Sequence, residues 1–361
     1  MAEYDIVIIG SGPAGSIAAK PLVDKGLKVI ILEQKKLPRY KMCSGMLFPG
    51  AQVFIEERYG NIPDEMLSHP TKWEGYKIFP SAETPLEQCM EVFFPIEPLM
   101  EPGLPQGLVN TWRDRFDHWL AKQSGAELRD ECAFKELSFE GNGIRVKAVL
   151  QGKPFEVTAQ YLIGADGGTS RVRRAVSPEI DKKVAWFPCY EQWYHGTIDL
   201  DPNWFYGFLD PKFTGFYSGF YIKDDIFIQI TSGREGDSVK QLHNNFYEYL
   251  KETHNLNVTE IVAEYGIRIN DMAPRDMFCL GKENVLLAGE AAGFLYPFGE
   301  GITPAMITGD IAAQAIIKSI ESNGKVIELY TKMVAKEIER TRAAHEFAAK
   351  AGMDVFRVNS G

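Results

Sequence analysis

The chain has 361 residues, enough for about two domains at roughly 150 residues each. Hydrophobic residues make up 45% and charged residues 24%, a globular balance that excludes a disordered or fibrous protein. The formal charge of −10 repels phosphate backbones and argues against nucleic acid as a partner, and no run of about 18 apolar residues offers a membrane span.

Polar Met1-Ala-Glu-Tyr-Asp5 leads straight into Ile6-Val-Ile-Ile9, which reads as a first strand rather than a signal peptide, so a cytoplasmic protein is expected. Cysteines at 43, 89, 132, 189 and 279 are odd in number and lack CxxC spacing. They read as reduced thiols, with neither a disulfide framework nor a metal site. After the first strand come Gly10-x-Gly12-x-x-Gly15, a helix over about 16–25, and a second strand ending at Glu33. Gly10 permits the tight turn, Gly12 lets backbone approach a pyrophosphate, and Gly15 lets helix pack on strand. The helix N-terminus offers its free N–H groups to phosphate, Pro13 and Ala14 lie in its first turn, and Glu33 is placed to hold ribose hydroxyls.

Residues 34–50 form a basic loop punctuated by Pro and Gly, and 51–110 show no clean period. The pattern predicts a helix over 113–122, short strands over 127–163, and antiparallel strands over 183–231. Helices follow over 239–255 and 303–322, flanking a buried strand at Asn284–Gly289, and a helical, solvent-patterned tail covers 325–351. Fourteen of the 43 aromatic residues lie between Trp186 and Tyr221. Trp193, Tyr194, Tyr217 and Tyr221 join an apolar body to a polar handle and suit the wall of an apolar or planar substrate pocket. His195, an imidazole within this stretch, is a candidate proton donor.

The stretch Tyr161–Arg171, with Gly164-Ala-Asp166-Gly167, resembles the GADG signature of flavoproteins of the p-hydroxybenzoate hydroxylase fold. Gly289-Glu290-Ala-Ala resembles their GDAA signature, whose acid binds the flavin ribityl chain, and Arg113-Asp-Arg-Phe-Asp117 resembles their RxxFD helix. Within that group, Arg39-Tyr-Lys41-Met-Cys43-Ser44-Gly45 looks like the KxCGG loop of the geranylgeranyl reductase family. Gly299-Glu-Gly301-Ile302-Thr-Pro-Ala looks like that family's segment beside the flavin ring.

The resemblance implies an α/β protein, with a Rossmann-like FAD-binding domain from residues 1–70, 111–180 and 275–322. It implies an inserted antiparallel β-sheet substrate domain from 71–110 and 181–274, and a C-terminal helical segment over 323–361. It implies FAD as cofactor, with Lys41, Cys43, Ser44, Arg113, Asp166, Gly167, Gly289, Glu290, Gly299, Gly301 and Ile302 at its site, Cys43 near the reacting carbons and Pro297 beside the substrate. The implied activity is reduction of carbon–carbon double bonds in an apolar, isoprenoid-like substrate by hydride from flavin N5. An external donor such as NAD(P)H or ferredoxin would supply electrons, and any membrane contact would be peripheral. Glu290 and Ser44 depart from the family's Asp and Gly, and its YxWxFP substrate motif is missing, Phe216–Ile222 being the nearest stretch. A monooxygenase or halogenase acting on an aromatic substrate through a flavin hydroperoxide is the alternative.

Overall fold

A computed structural model describes residues 2–94 and 103–350. Residues 95–102 of the expected substrate domain, and 351–361 of the expected C-terminal segment, lie outside the described residues. The described residues divide into two compact units, the first from 2–41, 113–184 and 272–350, the second from 42–94, 103–112 and 185–271. Residues 42–70, grouped with the nucleotide-binding part in the sequence reading, thus belong to the second unit. Their short strand is hydrogen-bonded there.

In chain order, β1 (Ala2–Ile9), α1 (Pro13–Asp24) and β2 (Val29–Leu32) open the first unit. The second receives β3 (Met46–Leu47), α2 (Pro49–Tyr59), β4 (Leu67–Trp73), β5 (Gly75–Phe79), β6 (Met90–Phe93) and β7 (Leu108–Thr111). The first resumes with α3 (Arg113–Gln123), β8 (Glu127–Arg129), β9 (Cys132–Glu140), β10 (Gly143–Leu150), β11 (Lys153–Gly164), α4 (Arg171–Val176) and α5 (Pro178–Asp181). The second is completed by β12 (Trp186–Thr197), β13 (Trp204–Phe208), β14 (Ser218–Lys223), β15 (Ile226–Ser232), α6 (Val239–His254) and β16 (Asn257–Asn270). The first closes with β17 (Gly281–Lys282), β18 (Val285–Leu287), α7 (Ile302–Ser322) and α8 (Val326–Lys350).

The first unit is built on a sheet ordered β17-β18-β11-β1-β2-β8, parallel from β18 to β8, with β10 and β9 added antiparallel beyond β11. Ile6 to Ile9 and Val29 to Leu32 are all buried, as expected for central parallel strands covered on both faces. The helices α1 and α7 cross so closely that a Cβ on Gly309 would stand 2.3 Å from the Ala14 carbonyl oxygen. The tail is not solvated all round. Along α8, Tyr330, Val334, Glu337, Thr341, Ala344 and His345 are buried at helical spacing, and Tyr296 donates to the Glu337 carboxylate.

The second unit is built on a seven-stranded sheet ordered β16-β12-β15-β14-β13-β5-β6, antiparallel except between β13 and β5. One face packs on α6, where Phe208 meets Phe246 at 4.7 Å between ring centroids. No helix among the described residues is long and apolar enough to cross a membrane.

Candidate cofactor site

The turn between β1 and α1 shows why each glycine stands where it does. Gly10 has φ +102°, and a Cβ there would sit 2.4 Å from the Ala165 oxygen. A Cβ on Gly15 would fall 2.0 Å from the Gly10 oxygen. Gly12 differs. Its φ of −74° suits any residue, and a Cβ there would find one atom within 4 Å, the Arg39 Nη2 at 3.8 Å. Gly12 therefore guards space rather than conformation. It caps α1, which starts at Pro13, has no side-chain cap and carries no acid in its first turn. A helix start of this kind presents backbone N–H groups and positive potential to an anion, and Arg39 adds a full charge beside it.

Glu33 ends β2 as expected and is 4% exposed. Its Oε2 accepts from the Ser11 hydroxyl at 2.8 Å and backbone N–H at 3.2 Å, and its Oε1 accepts from Lys35 N–H at 2.9 Å. Arg39 bridges Glu33 at 3.2 Å and Asp117 at 3.0 Å. Arg113 forks onto the same Asp117 with two bonds of 2.8 Å. Burial opposes the charge of Asp117, but Arg113 and then Arg39 prevail and hold its carboxyl below the ordinary range. The RxxFD residues thus form a buried pair behind the phosphate turn, and Arg39 is the cation they orient toward it. Sequence reasoning missed Arg39 in this part; its only signal was the basic character of the loop.

Asp166 serves α4. It accepts from the Ser170 hydroxyl at 2.5 Å and from backbone N–H of Arg171 and Val172 at 2.7 and 3.2 Å, while burial pushes its carboxyl upward. Gly167, at φ +75°, has open space where a Cβ would project. Arg173, fully buried and also missed, donates to the oxygens of Gly168 at 2.8 Å and Ala291 at 3.0 Å and pairs with Asp181 at 3.0 Å. It ties the GADG turn to the Gly289–Ala292 turn. Gly289 donates its N–H to Thr308 Oγ1, and a Cβ on it would lie 3.1 Å from that of Ala305 and 3.3 Å from that of Ala14. Glu290 lies 3.9 Å from Lys41 Nζ.

Three separate motifs therefore converge on the N-terminal turns of α1 and α7. Before α7, Pro297 is buried, Gly299 has φ +73°, Gly301 caps the helix and Ile302 is its first residue. Glu300, 5% exposed, accepts from Thr303 N–H through Oε1 at 2.8 Å, while its Oε2 has no hydrogen-bond partner. Burial pushes this carboxyl up to about 7.

In the second unit, Trp193, Tyr221, Phe205 and Tyr76 follow one another in register across the sheet, with Ile228 between the first two. Phe205 stacks on Tyr76 at 4.7 Å, on Tyr221 at 4.9 Å and on Tyr217 at 6.1 Å. Buried Glu191 accepts from Trp193 Nε1 at 2.7 Å and Tyr221 hydroxyl at 3.3 Å. Tyr194, expected in the same wall, points the other way, because successive strand residues alternate in side. Its hydroxyl lies 3.2 Å from His243 Nε2 under α6, within the core. His195, expected as a proton donor, stands partly exposed with Nδ1 3.2 Å from the Asp225 carbonyl oxygen, outside the aromatic row. The Cys43 thiol is partly exposed and its sulfur accepts from Gly45 N–H at 3.5 Å. Ser44 contributes its carbonyl oxygen to buried Lys223 at 2.7 Å.

A parallel sheet, a glycine turn stripped of side chains at a helix start, and a buried acid ending the second strand define a dinucleotide-binding flavoprotein. Residues 3–302 match the model of the FAD binding domain family, and the chain belongs to that family. Its cofactor is FAD, and the open Gly12 position, the uncapped α1 and Arg39 fit the pyrophosphate. Protein CbrA of Escherichia coli O139:H28 is 26% identical over 383 residues, covering 98% of each chain. A geranylgeranyl bacteriochlorophyll reductase-like protein from Thermoplasma acidophilum shares the fold at a TM-score of 0.77 and 19% identity, over 98% of this chain and 88% of that one. The flavin-dependent halogenase CmlS shares it at a TM-score of 0.72 and 18% identity, over all of this chain and 66% of that one.

Proposed function

We propose that this FAD-dependent oxidoreductase reduces carbon–carbon double bonds of an apolar, isoprenoid-like substrate. When bound and reduced by an external donor, the flavin supplies hydride chemistry. The chain binds the pyrophosphate through the N-terminus of α1 and Arg39, and the ribose through Glu33. The N-terminus of α7 adds positive potential where negative charge collects on a reduced flavin. Cys43 forms part of the substrate wall and is the family-matched group at the reacting carbons. Trp193, the half-buried end of an aromatic row whose other members are buried, offers apolar surface to a chain-like substrate.

The observation that carries this reading is the Lys41–Gly45 loop. A partly exposed thiol is held there by its own turn, in a loop whose sequence resembles the KxCGG loop of the geranylgeranyl reductases apart from Ser44. A thiol has no part in transferring oxygen or halogen, and would itself be open to oxidation in such an enzyme.

The test reduces the bound FAD anaerobically with an artificial donor and adds isoprenoid alkenes or aromatic compounds, with oxygen and chloride or bromide admitted in a second arm. Mass spectrometry then decides. A gain of two hydrogens without oxygen supports the reductase; a gain of oxygen or halogen only in the aerobic arm refutes it. The halogenase likeness makes that second outcome the specific rival.

A further inference from the structure

We infer that Lys223 is a positioning residue that fixes the Cys43–Gly45 turn and so aims the Cys43 sulfur. The inference deepens the reductase reading and rests on it for the role of Cys43. Lys223 ends β14 and is 1% exposed. Lysine is seldom buried, because its ammonium must be compensated by donors' partners in the interior. Here Nζ donates to the carbonyl oxygens of Ser44 at 2.7 Å and Thr111 at 2.5 Å, and lies 4.4 Å from the centroid of the Trp112 ring. One ammonium thus joins two chain segments that are far apart in sequence.

The same two segments are joined again from the other side. Thr111 donates to the Gly45 oxygen through its N–H at 3.1 Å and its hydroxyl at 2.7 Å. The neighbouring Asp224 accepts from Trp112 Nε1 at 2.7 Å and from His69 N–H at 2.7 Å, which holds the lysine's own strand end against them. The turn itself has no slack. Gly45 has φ +73°, and a Cβ there would stand 2.0 Å from the Thr111 oxygen and 3.1 Å from Lys223 Nζ. Its N–H is the group that the Cys43 sulfur accepts from. The ammonium therefore sets the Ser44 carbonyl, the peptide turns with it, and the sulfur follows.

A lysine retained only to fill space would give way to methionine, of similar length, without moving the turn. The experiment reads that difference in the FAD-loaded protein. Cys43 and Cys89 are the partly exposed cysteines and Cys132, Cys189 and Cys279 are buried, so a Cys89→Ser background lets a maleimide report on Cys43. Lys223→Met is expected to raise the Cys43 labelling rate about 10-fold. It should lower kcat for alkene reduction about 100-fold, the scale of a 1 Å misplacement. FAD content and flavin reduction by an artificial donor should stay at the wild-type level. Lys223→Arg keeps the charge and donors and should return labelling most of the way to wild type.

Wild-type labelling in folded, FAD-bound Lys223→Met would overturn the inference. So would failure of Lys223→Arg to rescue a changed rate. If Lys223→Met does not fold, Gly45→Ala disturbs the same turn from the opposite side, and unchanged labelling there overturns it equally. Labelling is read without substrate. A wild-type protein that reduces no alkene therefore refutes the reductase reading and leaves this test standing.

Discussion

Replacing Glu300 by glutamine should make the protein more stable in mild alkali and leave it unchanged in mild acid. The carboxyl is buried ahead of α7 with one oxygen unpartnered, and burial lifts it from 4.5 to about 7. The nearby Glu337, itself bonded by Tyr296 and 3.6 Å from Arg340, pushes in the same direction. Below the unfolded value both states hold the proton and stability does not depend on it. Between 4.5 and about 7 the unfolded chain has lost the proton while the folded one keeps it, so stability falls as pH rises. Above that window the loss is complete. At about 1.4 kcal/mol per unit it amounts to about 3 kcal/mol. Glutamine carries no charge and keeps an oxygen for the Thr303 N–H, now bonded at 2.8 Å. Denaturant titrations of both proteins, in excess FAD at pH 4 and pH 8, should give nearly equal stability at the lower pH, below the unfolded value of 4.5, and a gain of up to about 3 kcal/mol at the higher one. The same difference at both pH values, or a loss at pH 8, would refute the reasoning.

Gly12→Val should fold and bind no FAD, because its φ of −74° accepts a side chain while the side chain fills the phosphate space beside Arg39. Stoichiometric flavin in the purified variant would contradict this. Glu33→Ala should weaken FAD by about 1–3 kcal/mol, the scale for losing a charged acceptor, read by fluorescence titration of the apoprotein. Arg173→Met should cost about 1–3 kcal/mol in a denaturant titration, since it strands the buried carbonyl oxygens of Gly168 and Ala291, while Asp181 keeps Arg174 at 2.9 Å. Cys43→Ala should slow alkene turnover by about 10- to 1000-fold, the range for one acid–base or positioning group, with FAD content unchanged. Wild-type turnover would make the thiol a bystander.

The phosphate turn was readable in the sequence because its requirements are local. A strand too apolar to be anything but doubly covered, glycines at fixed offsets and a terminal acid all act within about 30 residues of one βαβ unit. The helix starts three residues earlier than its composition suggests, since Pro13 is a good first residue, with no N–H to leave unpaired. Arg39 and Arg173 were hidden for the opposite reason. Each has a near partner, Glu33 or Asp181, but the ones that tie separate motifs together, Asp117 and Ala291, lie 78 and 118 residues away, and no spacing rule reaches that far. The tail reads as solvated because its buried face carries the polar residues Glu337, Thr341 and His345, and the partners of Glu337 and His345, Tyr296 and the Leu295 carbonyl oxygen, are distant in sequence. Aromatic density between Trp186 and Tyr221 marked a sheet, but one residue's change of side separates Trp193 from Tyr194, and only the strand pairing decides which faces which core.

The close crossing of Ala14 by Gly309 has a consequence for how the protein is made. The phosphate turn is synthesised before the helix that seats against it, which emerges roughly 300 residues later. At about 5–20 residues per second that interval is on the order of 15–60 s. Even β1 waits for β11 before its inner edge is paired. Throughout that time the nascent chain exposes an apolar strand and a glycine-rich turn with no fixed shape. Flavin capture therefore waits until α7 has been made and can seat against the turn.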